Sequence, residues 1–261
     1  MDTENLKPQV DRERQGSLYP HDQEMSRRLN EAAKKSNLPI SDLMESFPVY
    51  VRRVNMTRFL AHYEIYKMIA GLPGSVAECG VYRGNTLLTW AKLLEIFHPG
   101  DRLRKVIGFD NFAGFTSFHE KDGKAEPGRS KVLGGWNSAP YYQELCEHIE
   151  LFHEDSFIPR AKRIELVHGD LVQTAPKYAA ENPGLRLSLI HLDVDLYEPT
   201  LASLKAFYPL LVPGGIVVLD QYGMTEWAGE SGALDDYFEG KTPKVHKLSF
   251  ASTPGGYIIK E

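Results

Sequence analysis

Five short apolar runs between Ser75 and Asp220 end in or beside an acid, and a helical segment separates each from the next. The runs are SVAEC, KVIGFD, RIELVHGD, LRLSLIHLD and GIVVLD. Between them lie TLLTWAKLLEIF, APYYQELCEHIELF, TAPKYAAEN (with Gln173 or Thr174 near its cap) and PTLASLKAFYPLL. Strands that alternate with helices imply a mostly parallel sheet with both faces covered, an α/β fold. The C-terminal runs KVHKLSF and GGYIIKE flank the turn ASTPGG and predict an antiparallel hairpin at the sheet edge.

Upstream, residues 1 to about 20 read as a mobile arm and 21–36 as a polar helix. The segment from Phe47 to Met56 is too apolar for a plain linker. In TRFLAHYEIYKMIAGL the residues Phe59, Leu60, Tyr63, Ile65, Tyr66 and Ile69 fall at helical spacing, and Gly71 and Pro73 end the helix. The expected division is an N-terminal arm and helix over 1–46, serving as lid or oligomer contact, and one domain over 47–261.

In an open parallel sheet, ligands bind beyond the carboxyl ends of the strands. Those ends offer Glu78 and Gly80, then Asp110, Asp170, the pair Asp193 and Asp195, and finally Asp220 with Gln221. A single acid after a strand is commonly a helix cap. Acids at every strand end, along the edge where ligands bind, point to a ligand instead.

The first turn, ECGVYRGNT, has Tyr82 where the dinucleotide fingerprint needs its second glycine. A pyrophosphate loses its closest backbone approach there, which disfavours a nicotinamide oxidoreductase. Asp110 is positioned for ribose hydroxyls and Asp170 for an exocyclic amine, with a small cationic or zwitterionic group near Glu78 and Gly80. S-adenosylmethionine has that chemistry. Side chains two apart in an extended chain share a face, so Asp193 and Asp195 can point to one site and Asp220 can join them. Carboxylates with an amide oxygen suit a hard cation, Mg²⁺ or Ca²⁺; without one, the acids repel and a pKa must rise. In the alternative reading, Asp195 caps the helix starting near Tyr197 and only Asp193 faces the cleft. His191 reads as a hydrogen-bonded core group, Cys79 as core filling, and Tyr141-Tyr142 and Tyr237-Phe238 as packing. The run EKDGKAEPGRSK reads as a solvated loop.

Bulk properties narrow the partners. The 261 residues carry a net charge of −5 and no long basic run, which disfavours nucleic acid. No stretch approaches the ~18 apolar residues of a membrane span. The polar first residues lack a signal-peptide apolar core, and two cysteines suggest no disulfide framework, so a cytoplasmic location is expected.

The segments VAECGVYRGNT, IGFDNFAGF, LVHGDL, HLDVDLYEPT, VPGGIVVLDQYG and EWAGESGALDDYF, in that order, resemble the macrocin-type (TylF/MycF) sugar O-methyltransferases of antibiotic biosynthesis, from about residue 48 onward. The resemblance implies a class I methyltransferase (Rossmann-like) fold, S-adenosylmethionine, a divalent metal, usually Mg²⁺, and a homo-oligomer. It implies methylation of a deoxysugar hydroxyl on a natural-product glycoside or activated sugar. Glu78 and Gly80 match the first cofactor motif, Asp110 the ribose acid and Asp170 the adenine-side acid. Tyr82, Thr86 and Leu171, on the same turns, complete the expected cofactor set. Asp193 and Asp220 match metal ligands and Asp195 the base. Where the family usually has a second Asp, this chain has Gln221, which keeps a carbonyl oxygen but removes a charge. Two rivals use the same residues: a metal-dependent catechol or phenol O-methyltransferase, and a catalytically silent relative that binds S-adenosylmethionine.

Overall fold

The computed structural model describes residues 20–124 and 131–261; the arm expected over the first residues lies outside that range. Among the described residues four helices come first: α1 Pro20–Ser36, α2 Ile40–Glu45, α3 Phe47–Tyr50 and α4 Arg53–Ile69. The sheet unit follows as β1 Ser75–Cys79, α5 Asn85–Phe97, β2 Val106–Asp110, α6 Tyr142–Asp155, β3 Ile164–His168, α7 Leu171–Glu181, β4 Leu187–Leu192, α8 Tyr197–Phe207 and β5 Leu211–Leu219. It closes with α9 Ala228–Tyr237, β6 Val245–His246 and β7 Gly256–Ile259.

The seven strands lie in the order β3-β2-β1-β4-β5-β7-β6. The first five are parallel; β7 runs antiparallel to β5 and pairs with β6, so the expected edge hairpin forms. β1 is followed outward by β2 and β3, whereas β4 returns to its other side. The crevice at the switch from β1 to β4 is where such sheets bind ligands.

Period-two alternation sorts the strand side chains onto two cores. Ile216 and Val218 of β5 join Trp90, Leu94, Ile65 and Tyr66 on the face covered by α4 and α5. Val217 and Leu219 join Leu204, Phe207 and Leu234 on the face covered by α8 and α9. Ile216 to Leu219 of β5 are fully buried on both faces, and each such side chain contributes about 1.5–3 kcal/mol. The inner face of α4 is Ala61, His62, Ile65, Tyr66 and Ile69, the spacing of one helical stripe.

Three local expectations change. Helix α7 starts at Leu171, before the expected Gln173 or Thr174 cap; Asp170 is its cap and accepts from Val172 N–H at 3.0 Å. The charged run from Glu120 is not simply solvated: Glu120–Asp122 is a 3-10 helix, Asp122 is 1% exposed and Lys131 3%. The helix α9 was not anticipated, because AGESGALDDY has little apolar periodicity. It packs through small residues instead: a Cβ on Gly229 would lie 2.5 Å from Tyr197 N.

Candidate active site

At the switch point β1 and β4 approach so closely that only glycine fits between them. Gly80 has φ +92, and a Cβ there would lie 1.9 Å from the Asp193 carbonyl oxygen. On the other side Asp193 N–H donates to Cys79 O at 2.8 Å. This closeness places Glu78 and Gly80 beside Asp193.

One cavity of about 850 Å³ opens there, and all eleven residues expected from sequence line it: Glu78, Gly80, Tyr82, Thr86, Asp110, Asp170, Leu171, Asp193, Asp195, Asp220 and Gln221. A volume of this size suits a small-molecule site. Eight carboxylate side chains line the cavity (Glu78, Asp110, Asp122, Asp170, Asp193, Asp195, Glu198 and Asp220) against one guanidinium, Arg58. Among the described residues the chamber therefore favours cationic occupants.

The acids differ in what already holds them. Asp110 Oδ2 accepts from Val81 N–H at 2.8 Å and Tyr82 N–H at 2.7 Å, and its Oδ1 from Phe112 N–H at 2.6 Å. It ties the first turn to the end of β2 and keeps little capacity for a ligand. Glu78 is fully buried and neither carboxylate oxygen has a partner. Burial first, and the charge of Asp193 second, push its carboxyl well up. Asp170 combines its capping bond with a place on the cavity wall.

The two acids after β4 do not reach the site by strand alternation. The strand stops at Leu192, and Asp195 has the left-handed φ of +60 in a tight turn closed by Leu196 N–H to Val194 O, 2.6 Å. Asp195 is not the cap of α8. Tyr197 N–H donates to Asp122 Oδ1 at 2.6 Å, while Asp122 Oδ2 accepts from His119 N–H at 2.6 Å. The carboxyl of Asp195 faces the cavity, pushed well up by burial and then by Asp193 and Asp220.

Asp193 and Asp220 form a pair bridged by Arg58, which sequence reasoning missed, and by Gln221, which it named. Arg58, from α4, donates through Nη2 to Asp193 Oδ2 at 2.7 Å and through Nη1 to Asp220 Oδ2 at 3.0 Å. Gln221 donates its amide to Asp193 Oδ1 at 3.0 Å and Asp220 Oδ2 at 3.2 Å, leaving its carbonyl oxygen without a partner. Burial disfavours charge on Asp220, but Arg58 and His191 together outweigh it and hold that carboxyl below its ordinary range. Asp193 is pushed up by burial and by Asp220.

His191 is fully buried and bonded in the core, accepting from Trp90 Nε1 at 3.4 Å. Its Nε2 lies 3.7 Å from Asp220 Oδ1, so it also borders the acid pair. One ligand atom each from His191, Asp193 and Asp220 fall within 4.8 Å of one another. Asp220 Oδ1 and Gln221 Oε1 are buried and unpartnered. Buried, unsatisfied, hard oxygen donors beside a second carboxylate fit the chemistry of a divalent cation. Glu230 of α9 lies beneath, accepting from Gln221 N–H at 3.1 Å, and burial pushes its carboxyl well up.

Apolar residues line the same cavity: Phe47, Val51, Val54 and Met56, with Trp136 edge-on to Tyr82 at 5.3 Å. Arg58, Trp136 and Glu230 gave no sequence signal, because only the tertiary fold brings them to the strand ends.

The sheet order and the acid-lined crevice between β1 and β4 define a class I methyltransferase fold. The chain belongs to the macrocin-O-methyltransferase (TylF) family, whose pattern matches residues 53–243. The crystal structure of the calicheamicin methyltransferase CalS11 superposes with a TM-score of 0.86, at 31% identity over 93% of each chain. An apo structure of CalS11, described as a TDP-rhamnose 3'-O-methyltransferase, gives 0.78 over 93% of this chain and 95% of that one. Among curated proteins, 8-demethyl-8-(2,3-dimethoxy-alpha-L-rhamnosyl)-tetracenomycin-C 4'-O-methyltransferase of Streptomyces olivaceus is 31% identical over 160 residues, 59% of this chain and 55% of that protein. Mycinamicin III 3''-O-methyltransferase of Micromonospora griseorubida is 27% identical over 153 residues, 58% of this chain and 56% of that protein. The chain thus spans little more than half the length of these curated relatives. No helix among the described residues is long and apolar enough to cross a membrane.

Proposed function

We propose that this protein is an S-adenosylmethionine- and divalent-cation-dependent O-methyltransferase acting on a deoxysugar hydroxyl, in a natural-product glycoside or an activated sugar. The observation that carries the reading is one cavity joining the Glu78 and Gly80 turn to Asp193, Asp195 and Asp220. Relatives described as methylating rhamnosyl groups support the sugar acceptor.

In this reading the unpartnered Glu78 carboxylate accepts from the cofactor's ammonium group. Asp170 and Leu171 border the adenine, Tyr82 and Thr86 complete the first turn, and Asp110 accepts from a ribose hydroxyl with its remaining capacity. Asp193, Asp220 and the carbonyl oxygen of Gln221 hold Mg²⁺, or Ca²⁺ in its place. When bound, S-adenosylmethionine supplies an already activated methyl group, and the cation supplies positive charge that lowers the pKa of a nearby hydroxyl. Asp195 takes the hydroxyl proton. Burial and two neighbouring acids raise this carboxyl, so offsetting the charges of Asp193 and Asp220 brings it back toward the range where it is ionised and able to accept. Phe47, Val51, Val54 and Met56 close over the acceptor and exclude water.

The described helices before residue 47 then serve as the contact region, and 47–261 is the catalytic domain, whose first segment closes over the site. The helices α2 and α3 bury none of their residues, and Ile40, Met44 and Val49 are 70%, 68% and 70% exposed. A second copy of the chain covers this apolar face in our reading, so solution mass should exceed that of a monomer. Both cysteines are free, in keeping with a cytoplasmic enzyme.

The test is methyl transfer from S-adenosylmethionine to a panel of deoxysugar glycosides, nucleotide-activated deoxysugars and catechols, with and without chelator. Transfer to a deoxysugar, lost on chelation and reduced about 10²–10⁴-fold in Asp195→Asn, supports the proposal. Transfer to catechols alone sinks the sugar assignment. Asp195→Asn turning over like wild type at saturating Mg²⁺ sinks the base.

A further inference from the structure

Arg58 lies between the two carboxylates that would hold a divalent cation. It lies in the second turn of α4, one helical turn before His62, and reaches across to the ends of two strands. Its guanidinium bonds to one oxygen of Asp193 at 2.7 Å, one of Asp220 at 3.0 Å and Thr253 Oγ1 at 3.2 Å. A divalent cation bridging the pair would draw on the same two carboxylates. The guanidinium holds Oδ2 of each acid and leaves Asp220 Oδ1 unpartnered, so an ion that engages both side chains competes with it.

The surroundings show why such a competitor is needed. Asp220 is 3% exposed, and Asp193, Asp195, Glu78 and Glu230 crowd around it. Without a cation, Asp193 and Asp220 would stand as neighbouring ionised acids with no counter-charge, an arrangement that low dielectric makes costly. Arg58 is the only guanidinium or ammonium lining the cavity among the described residues. Gln221 makes the exchange simpler. A second acid at that position would leave three negative charges for one guanidinium; an amide leaves two, and its N–H group also donates to both carboxylates.

We propose that Arg58 is a resident counter-cation of the metal site: it holds Asp193 and Asp220 together in the ion-free enzyme and swings into the cavity when a divalent cation takes its place. The inference rests on the metal reading given above. It makes Arg58 a positioning residue that tunes ion affinity. It also ties ion binding to α4, whose first turn continues from the cavity-lining segment at Phe47 and Val51.

Mn²⁺ alone is the probe, titrated into the full chain and followed by electron paramagnetic resonance. Wild type is measured first, then Arg58→Met and Arg58→Lys. Loss of two charge-assisted hydrogen bonds from the competitor is expected to tighten Mn²⁺ binding about 10- to 100-fold in Arg58→Met, with Arg58→Lys in between. Ion-free Arg58→Met should melt below wild type and gain more than wild type on saturation with Mn²⁺. Folded Arg58→Met that binds Mn²⁺ no more tightly than wild type overturns the inference while leaving the metal reading standing. Absence of Mn²⁺ binding in wild type and both variants overturns the metal reading, and Arg58 falls with it. A second readout needs no variant that must fold well. In wild type the Arg58 Nε–H resonance should shift when Mg²⁺ is added, and an unmoved resonance at saturating Mg²⁺ also overturns the proposal.

Discussion

Asp122 should be the most destabilising single acid to remove, although it was read from sequence as part of a solvated loop. It is 1% exposed, and each of its oxygens accepts one backbone N–H, from Tyr197 and from His119, both at 2.6 Å. Asp122→Ala leaves one buried donor, Tyr197 N–H, and one partly buried donor, His119 N–H, unpaired. Charge-assisted hydrogen bonds contribute about 1.5–3 kcal/mol each, so the loss is about 3–6 kcal/mol. At about 2–4 °C per kcal/mol for chains of this size, the melting temperature should fall by roughly 6–24 °C. Asp122→Asn keeps one acceptor oxygen and should recover about half of the loss. Function should follow by a separate route. Tyr197 N–H is the first amide of α8, and Asp195 stands two residues before it in a left-handed turn. Loosening the cap lets Asp195 wander, so kcat should fall while S-adenosylhomocysteine affinity holds. Urea denaturation of Asp122→Ala showing a loss under about 1 kcal/mol, with an unchanged m-value, would refute the capping argument.

Asp110→Ala should lower the melting temperature and S-adenosylhomocysteine affinity together, because the same carboxylate fastens Val81, Tyr82 and Phe112; calorimetry with full affinity retained would remove it from the cofactor site. Asp101 governs part of the acid limb of stability: burial alone would raise it, but Arg104 and two backbone N–H groups hold it at about 2 against an ordinary 3.8. The folded value lies below the unfolded one, so this stabilisation is complete above about pH 4 and disappears as the pH falls toward about 2. Asp101→Asn should therefore flatten the stability profile in that window, and an unchanged profile would show that the Arg104 pairing contributes nothing there. Finally, amide exchange over Phe47 to Met56 should slow when S-adenosylhomocysteine and acceptor are both present; equal rates with and without them would deny the lid role.

How much of this was legible in the sequence depends on the range of the forces involved. Strand and helix order, the parallel sheet and the edge hairpin follow from hydrophobic periodicity and turn residues, which act over a few neighbours. The strand-end acids follow from the same order, because a parallel sheet delivers every carboxyl end to one edge. That is why Glu78, Asp110, Asp170, Asp193, Asp195 and Asp220 could be named in advance and now line one cavity. What each acid does was not legible. Asp170 caps a helix, Asp110 fastens a turn and Asp122 caps α8 from a distant loop, since only folding decides which backbone amide finds which carboxylate. The geometry of Asp195 came from a left-handed turn and not from strand parity. Arg58 lies 135 residues from Asp193 and 162 from Asp220 along the chain. No local pattern could place its guanidinium between them; that required α4 to pack across the switch point, where burial makes an unpaired charge costly and draws Arg58, the one guanidinium lining the cavity among the described residues, to the two acids.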